Sequence, residues 1–100
     1  MAIDPANLGK TLAEIRKRRG LTQREVAYQS GLTVNFLSLL ENGERGLTTE
    51  TLNSYAKAVG VPTEFITFLA GDGKDVQDPT LASLSKSLKK AILTTISAES

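Results

Sequence analysis

The sequence contains no cysteine, no histidine and no tryptophan, and aromatic residues make up only 5% of it. Without cysteine there are no disulfides and no thiol chemistry, and without histidine the commonest metal ligand and general base is missing. No apolar run approaches the ~18 residues of a membrane span, and no charged-then-apolar leader opens the chain. We therefore expect no enzyme, no cofactor or metal site, no membrane partner, and a cytoplasmic location.

The charges are nearly balanced but unevenly distributed. One hundred residues with 40% hydrophobic content suit one small domain, and the net charge of +1 does not by itself indicate a polyanionic partner. Residues 8–47 carry seven basic and four acidic side chains, whereas residues 48–100 carry five and six. The basic run 16–19 is placed to contact phosphates, although a basic helix end also complements the helix dipole without any ligand.

The stretch 23–40 has the residue spacing of a helix-turn-helix. Ala27 is small where two helices must cross closely, and Gly31 supplies the positive φ of a tight turn. Three leucines are predicted to face the core: Leu32, Leu37 and Leu40. Thr22 and Glu25 form a capping box before the first helix, and Thr33 begins the second. This arrangement leaves the outer face of the second helix able to lie in a DNA major groove.

Start and stop signals predict three further helices around this pair. Asn7 is predicted to cap a first helix that ends at Gly20, and Gly43 ends the third helix. A fourth helix begins after Thr48 or Thr49 and closes at Gly60. Pro62 opens a fifth helix over 63–70.

The chain is predicted to divide into four segments. Residues 1–6 form a flexible tail, residues 7–71 the helix-turn-helix domain, and residues 72–79 a polar linker. Residues 80–97 form a C-terminal amphipathic helix with a stripe of apolar side chains: Leu81, Leu84, Leu88 and Ile92. Three interpretations of the stripe remain open: packing back on its own domain, dimerisation, or binding a separate protein partner.

Residues 8–71 resemble the phage-repressor and Cro-like family, also called the Xre family. The resemblance rests on these motifs: Leu21-Thr22-Gln23, Gly31-Leu32-Thr33, Leu40-Glu41-Asn42-Gly43, and Leu52 with the segment 56–61. It implies an all-α fold, namely a five-helix lambda-repressor-like helix-turn-helix domain. It also implies binding to double-stranded DNA through the third helix, and usually a homodimer.

Four residues on the outer face of the third helix are predicted to read bases: Val34, Asn35, Ser38 and Leu39. The Asn35 amide suits adenine N6 and N7, and Val34 can meet a thymine methyl group. The family often places arginine or lysine on this helix, and this sequence does not. An exposed Leu39 is accordingly compatible with methyl readout or with a surface that binds protein.

A second set is predicted to contact phosphates: Gln23, Arg24, Thr33, Asn42, Arg45 and Arg18. Gln23 opens the second helix, whose N-terminus favours anions, and a glutamine there contacts the DNA backbone in the resembling family. The resemblance also implies that Arg16 pairs with Glu41, although two separate solvated charges are possible. Phe36 is either a core anchor or a neighbour of a phosphate.

The sequence therefore predicts a transcriptional regulator, more specifically a repressor that occupies a palindromic operator as a homodimer. Two alternatives use the same fold. One is a protein-interaction adaptor that has lost DNA binding, and the other is an antitoxin that represses its own operon.

Overall fold

The computed structural model describes residues 4–71 and 76–97, and this part of the chain forms six helices. They are α1 (Pro5–Arg18), α2 (Gln23–Ser30), α3 (Val34–Glu41), α4 (Thr49–Val59), α5 (Thr63–Ala70) and α6 (Pro79–Ile96). The predicted all-α class is confirmed. None of these helices combines the length and apolarity that crossing a bilayer requires.

The core lies where α1 packs against α3 and α5, and where α2 packs against α3 and α4. Its largest fully buried side chains come from every helix of the domain except α6: Leu12, Ile15, Val26, Leu37, Leu40, Tyr55, Val59 and Ile66, with Val61 from the turn before α5. Burying a leucine or isoleucine stabilises the fold by about 1.5–3 kcal/mol. The two leucines from α3 thus anchor that helix by its inner face.

The predicted turn between α2 and α3 is confirmed. The Thr22 hydroxyl accepts a hydrogen bond from the Glu25 backbone N–H, and the Glu25 carboxylate accepts one from the Thr22 backbone N–H. Gly31 ends α2 with φ 76°, in the left-handed region, and Thr33 caps α3. The Thr48 cap of α4 and the left-handed Gly60 behind it are present as well.

The predicted start of α1 is wrong. Asp4, not Asn7, is the N-cap: its carboxylate accepts from the Ala6 backbone N–H, and Pro5 is the first helical residue. An aspartate followed by proline is a stronger start signal, because proline's fixed φ suits the first helical position and its missing N–H needs no partner there. Residues 4–6 therefore belong to the helix end rather than to a tail, and residues 1–3 lie outside the described part.

Helix α6 begins at Pro79, one residue before the predicted start, and Asp78 caps it. Residues 72–75 of the predicted linker lie outside the described part. The last turns of α6 pack on the domain, with Ile96 buried and Ile92 and Leu93 half-buried against the core. The earlier part of the stripe is exposed: Leu81, Leu84 and Leu88 have relative accessibilities of 56%, 53% and 47%.

Candidate nucleic-acid interface

Helix α3 presents its first turn to solvent. Val34 is 42% exposed and Asn35 is exposed, whereas Ser38 and Leu39 are half-buried. The Thr33 hydroxyl accepts from the Phe36 backbone N–H at 3.0 Å and fixes the start of the helix. Of the four predicted base readers, the two on the first turn are therefore the most accessible, and Leu39, expected to be exposed, is half-buried.

A buried ion pair joins the C-terminal end of α3 to α1. Arg16 Nε donates to Glu41 Oε2 at 2.8 Å, and Arg16 Nη2 donates to Glu41 Oε1 at 3.0 Å. The remaining amino group of Arg16 donates to the Leu21 carbonyl oxygen at 3.0 Å. The pairing that the family resemblance implied is thus present, and the bidentate geometry fixes the position of α3 relative to α1.

Two more side chains complete the hydrogen bonding of Glu41. Tyr55 from α4 donates its hydroxyl proton to Glu41 Oε2 at 2.7 Å, with the Leu12 carbonyl oxygen at 3.0 Å as a second acceptor. The Gln23 side-chain amide donates to Glu41 Oε1 at 3.0 Å. Every buried side-chain nitrogen or oxygen among the described residues has a hydrogen-bond partner. One carboxylate therefore links α1, α2, α3 and α4.

The network keeps Glu41 ionised. Burial opposes the charged form, but the hydrogen bonds from Arg16, Gln23 and Tyr55 outweigh it and hold the pKa of Glu41 below its usual value. The hydrogen bond to Glu41 raises the pKa of Arg16 despite its burial. Burial, followed by the neighbouring carboxylate, raises the pKa of Tyr55.

The predicted phosphate-contacting residues differ in their surroundings. Arg24, Thr33, Asn42 and Arg45 are exposed, and Gln23 is half-buried because its amide is engaged with Glu41. Arg45 lies in the loop between α3 and α4, and its guanidinium carbon is 5.4 Å from the centre of the Phe36 ring. Phe36 itself is half-buried and packs against the core.

The basic run 16–19 is largely engaged within the protein. Besides the buried Arg16, Arg18 donates to Glu14 at 2.9 Å and to the Ser97 hydroxyl at 3.4 Å. Arg19 donates to the carbonyl oxygens of Val59 and Ile96, both at 2.9 Å. These carbonyls lie at the ends of α4 and α6, where intrahelical partners run out. Three of the four residues thus have acceptors within the protein, and contact of this run with phosphates stays a prediction.

Three residues hold the helices in place in ways that were not predicted from the sequence. Tyr55 and Arg19 act through partners 14 to 77 positions away, and no local pattern indicates such partners. Gly9 did leave a signal, since a glycine inside a helix is unfavourable unless something passes close to it. A Cβ atom there would lie 2.6 Å from the Leu40 carbonyl oxygen and 2.7 Å from that of Glu41.

Comparison with known proteins shows which of them share this arrangement of helices. A family model described as helix-turn-helix matches residues 12–66, which contain the whole of α2, α3 and α4. The solved structure of the clp gene regulator ClgR from Corynebacterium glutamicum superposes with a TM-score of 0.68 at 27% identity. That match covers 90% of this chain and 95% of that one.

Two proteins related in sequence are also named as transcriptional regulators. The HTH-type transcriptional regulator y4dJ of Sinorhizobium fredii is 44% identical over 54 residues, which are 54% of this chain and 70% of that protein. The HTH-type transcriptional repressor RghR of Bacillus subtilis is 32% identical over 73 residues, which are 72% of this chain and 54% of that protein. The chain thus spans about half the length of RghR.

Proposed function

This chain belongs to the helix-turn-helix family of DNA-binding transcriptional regulators, and we propose that it is a repressor that binds a palindromic operator as a homodimer. The observation that carries this proposal is how the fold holds α3. Its first turn is exposed, and its C-terminal end is fixed by the buried ion pair of Arg16 and Glu41. A rigidly held helix with an open first turn is what docking in a major groove requires.

Asn35 is the principal base reader in this proposal. Its exposed amide has both a donor and an acceptor and can contact adenine N6 and N7 together, which discriminates by about 1–3 kcal/mol against another base. Val34 beside it supplies apolar contact to a thymine methyl group. Ser38 and Leu39, one turn further along and half-buried, contribute at the edge of the same surface.

The phosphate contacts surround this helix. Gln23 and Arg24 lie at the start of α2, whose N-terminal N–H groups favour an anion, and Asn42 and Arg45 follow the end of α3. Thr33 stands between the two helices. Arg18 is a weaker candidate, because a phosphate would compete with the oxygens of Glu14 and Ser97 for its guanidinium.

The homodimer is proposed to form through the exposed half of the α6 stripe. Leu81, Leu84 and Leu88 are each about half exposed, and Phe65 of α5 lies beside Leu88 in an apolar cleft that Ile92 and Ile96 also line. In a homodimer the same surface of each copy would pack against that of the other across a two-fold axis. A palindromic operator has the same two-fold symmetry. Residues 7–71 then bind DNA and residues 80–97 bind the second copy.

Repression is the simplest consequence of such binding, because a dimer that occupies an operator excludes polymerase from it. The relative named as a repressor supports this direction of regulation. An adaptor function remains the alternative, since the leucine stripe also fits a separate protein partner.

The test is selection of bound duplexes from a random DNA library, followed by titration of the selected duplex and a scrambled one. We expect a selected sequence with two-fold symmetry and an affinity that falls steeply as salt rises, because cations are released from the phosphates. Asn35→Ala should weaken binding to the selected duplex only, whereas Gln23→Ala should weaken both. No enrichment, or binding insensitive to salt, would favour the adaptor.

A further inference from the structure

We propose that Phe36 is a positioning residue for Arg45, and that its ring holds the guanidinium where it contacts a DNA phosphate beside α3. The inference rests on the proposed function and concerns how one part of the interface is preorganised. It assigns to Phe36 a role that neither core packing nor base reading provides.

Phe36 is held through both its ring and its backbone. It packs partly against the core, and the backbone N–H of Phe36 donates to the capping hydroxyl of Thr33. The loop that carries Arg45 is also anchored at its start. The Gly43 N–H donates to the Leu40 carbonyl oxygen at 3.1 Å, and the Glu44 N–H donates to that of Leu39 at 2.9 Å. Arg45 therefore begins from a defined backbone position next to a fixed ring.

The contact with the Phe36 ring leaves the guanidinium able to bind an anion. The ring carries no charge and offers no oxygen or nitrogen acceptor, so the N–H donors of the guanidinium stay available. Arg16, Arg18 and Arg19 contrast with this, since oxygen acceptors within the protein already take their donors. Among the described residues, no hydrogen bond uses the donors of Arg45, and its side chain is exposed.

Preorganisation is the expected benefit. A free arginine on a loop samples many rotamers, and contact with a phosphate would restrict them all at once. The ring restricts them before binding. An exposed cation–π contact is modest in strength, so we expect loss of the ring to weaken binding roughly two- to fivefold.

The experiment is a double-mutant cycle measured on the selected duplex and on a scrambled one at low salt. Phe36→Leu and Arg45→Ala are made singly and together, and Phe36→Tyr keeps a ring. Phe36→Leu should weaken binding to both duplexes when Arg45 is present and should have no further effect when Arg45 is replaced by alanine. Phe36→Tyr should bind as the parent does.

Arg24→Ala is the matched control, because Arg24 is an exposed arginine on another helix. Its effect should be the same with Phe36 and with leucine at that position. Additive losses from Phe36→Leu and Arg45→Ala, or failure of Phe36→Tyr to bind, would overturn the positioning role. If the leucine variant melts early, Phe36→Met supplies a flexible side chain without a ring, and the same cycle decides.

The outcomes separate this inference from the function on which it rests. If the parent shows no salt-dependent binding and Arg24→Ala changes nothing, the proposed function fails and the positioning role fails with it. In the other case the parent binds, and Arg45→Ala lowers the slope of log affinity against log salt by the amount that about one phosphate contact contributes. If the cycle is then additive, only the positioning role fails.

Discussion

The arginines of this chain have different roles because the groups that contact them differ. Arg16 is buried against Glu41 and fixes the end of α3, whereas Arg45 is exposed and lies over the Phe36 ring. Arg19 caps the carbonyl ends of α4 and α6. The number of basic residues in a stretch of sequence cannot distinguish these roles, since each role depends on which side chains and carbonyl oxygens the fold brings next to the guanidinium. We therefore expect Arg45 to contribute more to the affinity for DNA than Arg16 or Arg19 does.

Glu41→Gln is expected to destabilise the protein by about 3–5 kcal/mol at pH 7, because it removes one partner of a buried ion pair. Because the folded pKa of Glu41 lies below its unfolded value of about 4.3, the parent should lose this contribution as the pH falls through the folded pKa. Denaturant titrations from pH 7 to pH 3 should show a smaller acid loss for the variant.

Glu14→Gln is the control for that prediction. It makes the same chemical change in an exposed pair with Arg18, whose contribution should be under about 1 kcal/mol. Equal losses from the two substitutions would mean that the four-helix network around Glu41 does not form in solution.

At the scale of single helices, the boundaries that could be predicted are those set by neighbouring residues. Thr22 with Glu25, Gly31 and Thr33 each act within four positions, so their pattern predicted α2 and α3 correctly. The start of α1 is also set locally, by Asp4 and Pro5, and the prediction of Asn7 as the cap is wrong because Asn7 lies inside the helix. The packing of α6 has no such local signal, because its partners lie far away in sequence.

Gly31→Ala is expected to cost about 1–2 kcal/mol, because a Cβ atom is disfavoured at φ 76°. Gly46→Ala is the matched control: neither site has an atom within 4 Å of an added Cβ, and only Gly31 has a positive φ. The control should lose no stability. Thermal melts of both variants measure the difference, and equal midpoints would place Gly31 outside the left-handed region.

Gly9→Ala tests how closely α1 and α3 approach. The added Cβ would meet the backbone oxygens of Leu40 and Glu41, which cannot move unless α3 shifts, so we expect a loss of about 1–3 kcal/mol. Affinity for the selected duplex should fall in the part of the population that remains folded, because α3 is displaced. A variant as stable as the parent and as tight in binding would show that the helices can separate freely.

For the whole molecule, α6 follows one of the interpretations that the sequence left open over its C-terminal part, which packs back on its own domain. Its C-terminal turns complete the core through Ile96, and Arg19 donates to that residue's carbonyl oxygen. Its N-terminal half stays uncovered. Removing the helix after Pro79 would therefore expose the core as well as the stripe, so a point substitution within the uncovered half tests dimerisation more cleanly.

Leu84→Glu should convert the proposed dimer to a monomer while leaving the fold intact. Leu84 is 53% exposed in the single chain, so a charge there stays in water unless a second copy covers it, and burying that charge is costly. Light scattering at tens of micromolar measures the mass, and a thermal melt checks the fold. The monomer would hold one half-site instead of two, so affinity for the palindrome should drop roughly a hundredfold or more. Tyr28→Glu on α2, at an 86% exposed site, is the control and should remain dimeric. An intact chain that is monomeric at this concentration would contradict the homodimer. A Leu84→Glu variant that is still dimeric would place the interface away from α6.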